Sequence, residues 1–324
     1  MKDVLPKRIV IMLKNPLVSF IVTSYNYEKF ISRTLESIKN QTYKEFEIII
    51  VDDCSSDNSA GVIERFIADN QDLRIILLRH DKNKGQLAAF QTGLRQAQGV
   101  FVSFIDSDDL ILKDYAKTHI KVHMASSVAF TSSQIIEIDE NDAVHSVYSV
   151  ASPQNSANYE AKDLSELLDI DIDNVEFKVL NTKSAPFGGW FWSPNSSAMY
   201  RRSALDFLLE YDNTDQWKIC PDKFLFNFAN LIGGSAVIYA PLAAYRRHKG
   251  NAGNCAYVTG NKKYNNDAVT LVNLRNNLKI RPEAIRFIVK KRRFFEEKYG
   301  KKNTVKFLLT VLLSYYYLLK QFFS

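Results

Sequence analysis

Between residues 17 and 106 the chain alternates short apolar runs with stretches of helical periodicity, and that alternation restricts its fold more than any other feature. Leu17–Thr23 (LVSFIVT), Phe46–Val51 (FEIIIV), Leu73–Leu78 (LRIILL) and Val100–Ile105 (VFVSFI) are rich in β-branched and aromatic residues, the pattern of strands covered on both faces. Phe30, Ile31, Leu35 and Ile38, then Val62, Ile63, Phe66 and Ile67, fall at helical spacing, and an Ala- and Gln-rich stretch over 86–98 makes a third helix. Strand, loop and helix in repetition predict parallel strands joined by right-handed crossovers, so the fold class is α/β and Rossmann-like in the broad sense. The first strand runs into Ser24-Tyr25-Asn26-Tyr27 rather than GxGxxG, which disfavours a dinucleotide cofactor.

Two of these strands end in acids. The second runs into Asp52, Asp53 and Asp57, and the fourth into Asp106, Asp108 and Asp109. Open α/β sheets bind ligands at the C-terminal ends of their strands. Three neighbouring carboxylates repel one another, and Mg²⁺ or Mn²⁺ shared with substrate phosphates would supply the missing positive charge. The competing reading is an acidic turn that caps a helix starting near Lys113.

Beyond Asp109 the rhythm changes. A helix over 113–124, an apolar run over 128–138 and a paired strand over 143–150 extend the sheet. Residues 151–185 are rich in Ser, Asn and Asp and predict a variable lid or acceptor-side insertion. In PFGGWFWSPNSSAMYRR (186–202) two glycines and three bulky aromatics precede a short strand, and a helix over 221–232, a strand Ser235–Tyr239 and the loop YRRHKGN at 245–251 follow. Cys54, Cys220 and Cys255 are dispersed and form no CxxC pair, so no disulfide framework or zinc site is expected and a reducing cytosol is the default. MKDVLPKRIVIMLKNP has no sustained apolar core and does not read as a signal peptide.

Together these residues resemble the inverting, family 2 nucleotide-sugar glycosyltransferases of GT-A fold, over roughly residues 16–250. PLVSFIVTSYN (16–26) is similar to the family's first strand and nucleotide-binding turn, and VDDCSSDNS (51–59) to its second acidic turn, with Cys54 where glycine is usual. Asn83, Gly85, Ala89 and Gly93 resemble its N-x-G-x-x-x-A helix entry, with Gln91 where Asn is common, and IDSDD (105–109) resembles its DxD motif. The resemblance implies a mainly parallel mixed sheet flanked by helices. It places Thr23, Tyr25 and Asp53 on the base and ribose. Tyr25 would stack and Asp53 would accept a base N–H.

It also puts Asp108 on a Mn²⁺ or Mg²⁺ ion and Asp106 on the ribose or a metal-bound water, with a shift of these roles to Asp108 and Asp109 left open. Asp222, at the start of a helix in CPDKFLFNF, is the implied general base, although Pro221 stands where an acid often precedes it; Asp212 and Asp215 are the fallbacks. His248 is implied to close on the metal, and Arg246 or Arg247 on the diphosphate; a solvent-exposed basic loop is the alternative. Gly188, Gly189 and Trp190 resemble an acceptor or sugar platform, or else a tight turn before a core Trp.

These implications define a nucleotide-sugar donor, a glycan or lipid-linked acceptor and a domain plan. That plan is an extension over 1–15, a catalytic domain over 16–255 with halves 16–110 and 111–255, and a tail over 256–324. The chain carries a net charge of +6, yet 281–324 alone hold eleven Lys and Arg against three Glu, so the basic character belongs to the tail. FLLTVLLSYYYLLKQFF (307–323) is too short and interrupted for a good membrane span and predicts an interfacial helix at the inner face of the plasma membrane, or else a helix packed on the core or a second subunit. No RNA motif accompanies the basic stretch, so nucleic acid is not an expected partner. A sugar nucleotidyltransferase is disfavoured because no Gly-rich, Lys- or Arg-bearing loop follows the first strand. A non-catalytic nucleotide-binding scaffold is the alternative of another class, and the oligomeric state is left open.

Overall fold

The computed structural model describes residues 15–148, 174–248 and 279–323. In its first half β1 (Val18–Ser24), α1 (Ile31–Lys39), β2 (Phe46–Asp52), α2 (Ser59–Asp69), β3 (Ile75–Arg79), α3 (Gln86–Gln96) and β4 (Phe101–Asp106) follow one another as the alternation predicts. β1 lies between β2 and β4 and β3 flanks β2, all parallel. The register sets Ser24 beside Asp52 and Thr23 beside Asp106, so three strand ends reach one sheet edge together.

Alternate residues of each strand feed opposite layers. Ile21, Ile49, Val102 and Phe104 pack with α3 residues Leu87, Phe90 and Leu94, while Phe20, Val22, Ile50 and Ile105 pack with Ile31, Leu35 and Ile63 from α1 and α2. α3 lies close on β1, and a Cβ on Gly93 would come within 2.4 Å of the Ile21 side chain.

After β4 come β5 (Leu110–Ile111), α4 (Tyr115–Ala125), β6 (Phe130–Ile138), β7 (Val144–Tyr148), β8 (Phe177–Leu180), β9 (Ala198–Arg201), α5 (Asp206–Glu210), α6 (Asp222–Gly233) and β10 (Ser235–Arg246). β9 runs antiparallel to both β4 and β6 and makes the sheet mixed, as the resemblance implied. The strand expected over Ser235–Tyr239 in fact continues to Arg246. Register shifts against β6 on either side of Pro241 absorb the residue that cannot donate to the ladder. This bulged extension pairs with β5 and returns the chain to the acidic turn at 106–109.

The C-terminal region holds α7 over 279–290, α8 (Arg292–Tyr299) and α9 (Lys301–Phe323). Ile280, Phe287, Phe295, Phe307 and Val311 join the same core cluster as Phe224 and Phe228 of α6. These helices therefore pack on the sheet-bearing body. The expected 255/256 boundary, the extension over 1–15 except its last residue, and most of the insertion over 151–185 lie outside the described residues. Among the described residues no helix is long and apolar enough to cross a membrane.

Candidate functional site

The site is built where β1, β2 and β4 end. Thr23 is buried beside Asp106, and one residue beyond β1 Tyr25 stands 44% exposed, a ring open to solvent at the sheet edge. The turns after β1 and β2 are tied together: Asn26 Oδ1 accepts Ser56 N–H at 2.7 Å, Ser55 Oγ accepts Asn26 N–H at 3.0 Å, and Asp57 accepts Glu28 N–H at 3.0 Å. Cys54, in the glycine position of the resemblance, adopts φ +67°, so its Cβ bears the strain that glycine avoids.

Asp53 is buried and held from several sides. Lys84 N–H and Gly85 N–H donate to its two oxygens at 2.8 Å each, and His80 Nδ1 lies 2.6 Å from Oδ1. Thr92 Oγ1, 2.9 Å from His80 Nε2, fixes the far side of that ring. This lattice locks the loop that opens α3, leaving Asp53 as a rigid acceptor. Gly85, at φ +85°, also lies against Lys218, where an added Cβ would meet backbone Cα at 2.8 Å. Gly85→Ala is therefore expected to lower stability by about 1–3 kcal/mol. A Tm within error of the native protein would refute that.

In the acidic turn, Asp106 accepts from Gln86 Nε2 at 2.6 Å, while its own N–H donates to Ser196 Oγ at 3.0 Å. Asp109 accepts Arg246 N–H on Oδ1 at 3.0 Å, and its Oδ2 is buried with no hydrogen-bond partner. Burial first, and then the neighbouring carboxylates, push both Asp106 and Asp109 well above the usual carboxylate range. Asp108 meets His248 Nε2 at 2.9 Å, and the His248 ring lies 4.9 Å from Phe30 and 5.9 Å, edge on, from Tyr27. The helix-cap reading of the turn receives no support: the residue before α4 is Asp114, and no side chain caps that helix.

Among the described residues no three His, Cys, Asp or Glu side chains converge closely enough to hold a metal ion as they stand. The donor set nonetheless fits a hard cation. A buried, unpartnered carboxylate oxygen on Asp109 and a self-repelling acidic turn are what an added positive charge would satisfy.

Asp222 begins α6 after Pro221, and one of its oxygens accepts Lys223 N–H at 2.9 Å. Burial raises its pKa to about 6, and it is near enough to Asp106 for its charge to raise that group further. Neither fallback reaches this place: Asp212 pairs with Lys290 at 2.7 Å, and Asp215 with Lys218 at 3.0 Å, both on the surface.

The two arginines have tasks other than the implied phosphate contact. Arg246 is fully buried, donates through Nε to Asp108 O and through Nη1 to Asp139 O, each at 2.8 Å, and pairs with Asp142. It holds the main chain of the acidic turn and stacks over Phe30 at 5.2 Å. Arg247 pairs with Glu137 over the Tyr245 ring. Neither forms the exposed basic loop of the alternative reading.

Gly188 is buried and at φ +87°, its N–H donating to Asn227 Oδ1 of α6, and Trp190 packs edge-on against Phe226 at 5.8 Å. The glycine pair thus rests on the helix that Asp222 begins. Gln86, His80, Ser196 and Tyr27 were not singled out from sequence. Gln86 alone had a local signal, directly following Gly85 in the helix-entry motif.

The family model described as Glycosyl transferase family 2 matches residues 19–208. An uncharacterized glycosyltransferase, alr2836, of Nostoc sp. is 31% identical over 72% of this chain and 66% of its own length. The putative teichuronic acid biosynthesis glycosyltransferase TuaG of Bacillus subtilis is 35% identical over 36% of this chain and 45% of its own. The Escherichia coli protein named UDP-Glc:alpha-D-GlcNAc-diphosphoundecaprenol beta-1,3-glucosyltransferase WfgD is 35% identical over 40% of this chain and 49% of its own. The chain thus spans between about half and two thirds of the length of these relatives. Among solved structures, the mannosyltransferase PcManGT of Pyrobaculum calidifontis, in complex with GDP-Man and Mn²⁺, superposes with a TM-score of 0.55 at 18% identity, over 93% of this chain and 74% of that one. That likeness shows the shared fold.

Proposed function

This chain belongs to glycosyl transferase family 2, and from that premise we propose that it transfers a sugar, with inversion, from a nucleotide-diphosphate donor to a glycan or lipid-linked acceptor in cell-surface polysaccharide synthesis. The observation that carries the reading is Asp222: a half-buried carboxyl with a pKa of about 6, near enough to Asp106 of the acidic turn to raise that group. A group poised near neutral pH both takes a proton and exists largely in the form that can take it.

In this reading the nucleotide lies over the ends of β1 and β2, its base stacked on Tyr25 with an N–H to Asp53 and its ribose near Thr23 and Asp106. The rigid lattice around Asp53 supports that role, because a fixed acceptor discriminates better than a mobile one. Asp108, Asp109 and His248 would hold Mn²⁺ or Mg²⁺, which when bound supplies charge neutralisation for the departing diphosphate. Asp222 takes the proton of the acceptor hydroxyl as that oxygen forms its bond to the sugar C1 from the face opposite the leaving oxygen. The electrons of the C1–O bond depart with the diphosphate, and one base with no protein nucleophile yields inversion.

Gly188, Gly189 and Trp190 stand on the acceptor side, the Trp ring offering a face to sugar C–H bonds. UDP is the preferred nucleotide in this proposal, supported by the donor named for the Escherichia coli relative. The test is a panel of UDP-, GDP- and dTDP-sugars with Mn²⁺. At least one donor is expected to bind in a metal-dependent way and to hydrolyse slowly, whereas no metal-dependent binding to any would refute the proposal. Binding without hydrolysis or transfer would favour a non-catalytic scaffold.

A further inference from the structure

The inner face of the C-terminal helices grips the acceptor-side loop. Arg281 of α7 donates through Nε to Ser314 Oγ of α9 at 2.8 Å and through Nη2 to Phe187 O at 2.9 Å, and the Ser314 hydroxyl donates to the same carbonyl at 2.6 Å. Gly188 lies so near that an added Cβ would sit 2.4 Å from the Arg281 guanidinium carbon. From the opposite side Asn227 of α6 accepts Gly188 N–H and donates to Gly189 O at 3.3 Å. The loop 187–189 is therefore clamped between the helix that Asp222 begins and the helices at the C-terminus.

The outer face of α9 has another character. Val305, Leu309, Leu312 and Tyr316 follow at helical spacing, Leu313 and Tyr317 widen the stripe, and these six side chains are 41–61% exposed. The charged residues of α9 are Lys301, Lys302, Lys306 and Lys320, all exposed, with no acid among them. In α8, by contrast, Arg292 pairs with Glu296 and Arg293 with Glu297. A second copy of α9 set against this stripe would bring lysines to lysines. An apolar stripe carrying tyrosines, flanked by cations alone, is complementary to a bilayer with anionic headgroups.

We propose that α9 lies in the plane of an anionic lipid surface and that, through Ser314 and Arg281, this seat positions the acceptor-side loop beside Asp222. The second half rests on the glycosyl-transfer reading; the first does not. Lysine ammoniums meet lipid phosphates, the stripe enters the acyl boundary, and the clamp holds the loop in fixed relation to the docked helix. Ser314 and Arg281 are thus positioning residues for an acceptor met at the membrane.

The test uses the full chain and vesicles of phosphatidylcholine with and without phosphatidylglycerol. Binding to the anionic vesicles is expected, weaker by about tenfold or more on neutral ones and weakened as much by the triple variant Leu309→Asn, Leu313→Asn, Tyr316→Ser, with Tm unchanged. Equal binding to both vesicles, binding to neither, or a dimer in sedimentation that the triple variant dissolves would overturn the lipid seat. Vesicle binding is read without donor or acceptor, so its failure is distinct from failure of the transfer reading. For the clamp, Ser314→Ala is expected to raise acceptor KM while leaving donor hydrolysis and vesicle binding unchanged, and Arg281→Lys to retain more of the acceptor affinity than Arg281→Ala. An unaltered acceptor KM in Ser314→Ala overturns the positioning role.

Discussion

Asp222→Asn is expected to keep nucleotide-sugar affinity within about twofold while lowering transfer by about 10³-fold, the scale of a lost general base. Native transfer should fall as pH drops through about 6, where the Asp222 carboxylate takes up its proton. The same shift dictates a stability effect of defined sign. Because the folded pKa lies above the unfolded value of 3.8, the unfolded chain ionises first, and the carboxylate costs the native state stability as pH rises from about 4 to 6. Asn carries no such cost. The variant's Tm should therefore exceed the native Tm at pH 8 and converge with it below pH 4. Raised Tm with transfer abolished separates a missing base from a damaged fold. Near-normal turnover would place the base elsewhere.

The second large effect concerns the acidic turn. Chelation of divalent ions, or Asp108→Asn in their presence, is expected to weaken donor binding by about 100-fold or more. The native protein should gain thermal stability when Mn²⁺ and nucleoside diphosphate are added together, since the ligands bind the folded chain alone and relieve repulsion between buried carboxylates. Asp108→Asn should lose most of that gain. Calorimetry reads both, and donor binding indifferent to chelation would remove the metal from the site. Asp108 is the informative position because its carboxylate, bonded to His248, joins the acidic turn to the residues that follow β10.

The first half of the sheet was legible in sequence for a definite physical reason. Strands covered on both faces must be apolar throughout, their crossover helices must show a 3.6-residue period, and polar groups gather only where strands end. Those demands are local, so runs such as FEIIIV and VFVSFI mark both the layers and the edge where Asp53 and Asp106 stand. The acidic pattern of IDSDD and Asp222 at a helix start were likewise visible in the chain itself.

What only the tertiary structure decided depends on partners far apart in sequence. Arg246 looked suited to phosphate, but its guanidinium is buried against Asp108, Asp139 and Asp142, a placement made by a Pro241 bulge that no local pattern announces. Asp53 became a fixed acceptor only through His80, Lys84 and Gly85. The C-terminal helices, basic and set apart by composition, share the core with α6 because Phe287 and Phe295 find Phe224 and Phe228 in three dimensions. Residue types and local periodicity thus determined the layers and the chemical classes at the sheet edge. Burial and long-range hydrogen bonding decided which charges face the ligand edge and which are spent holding the structure.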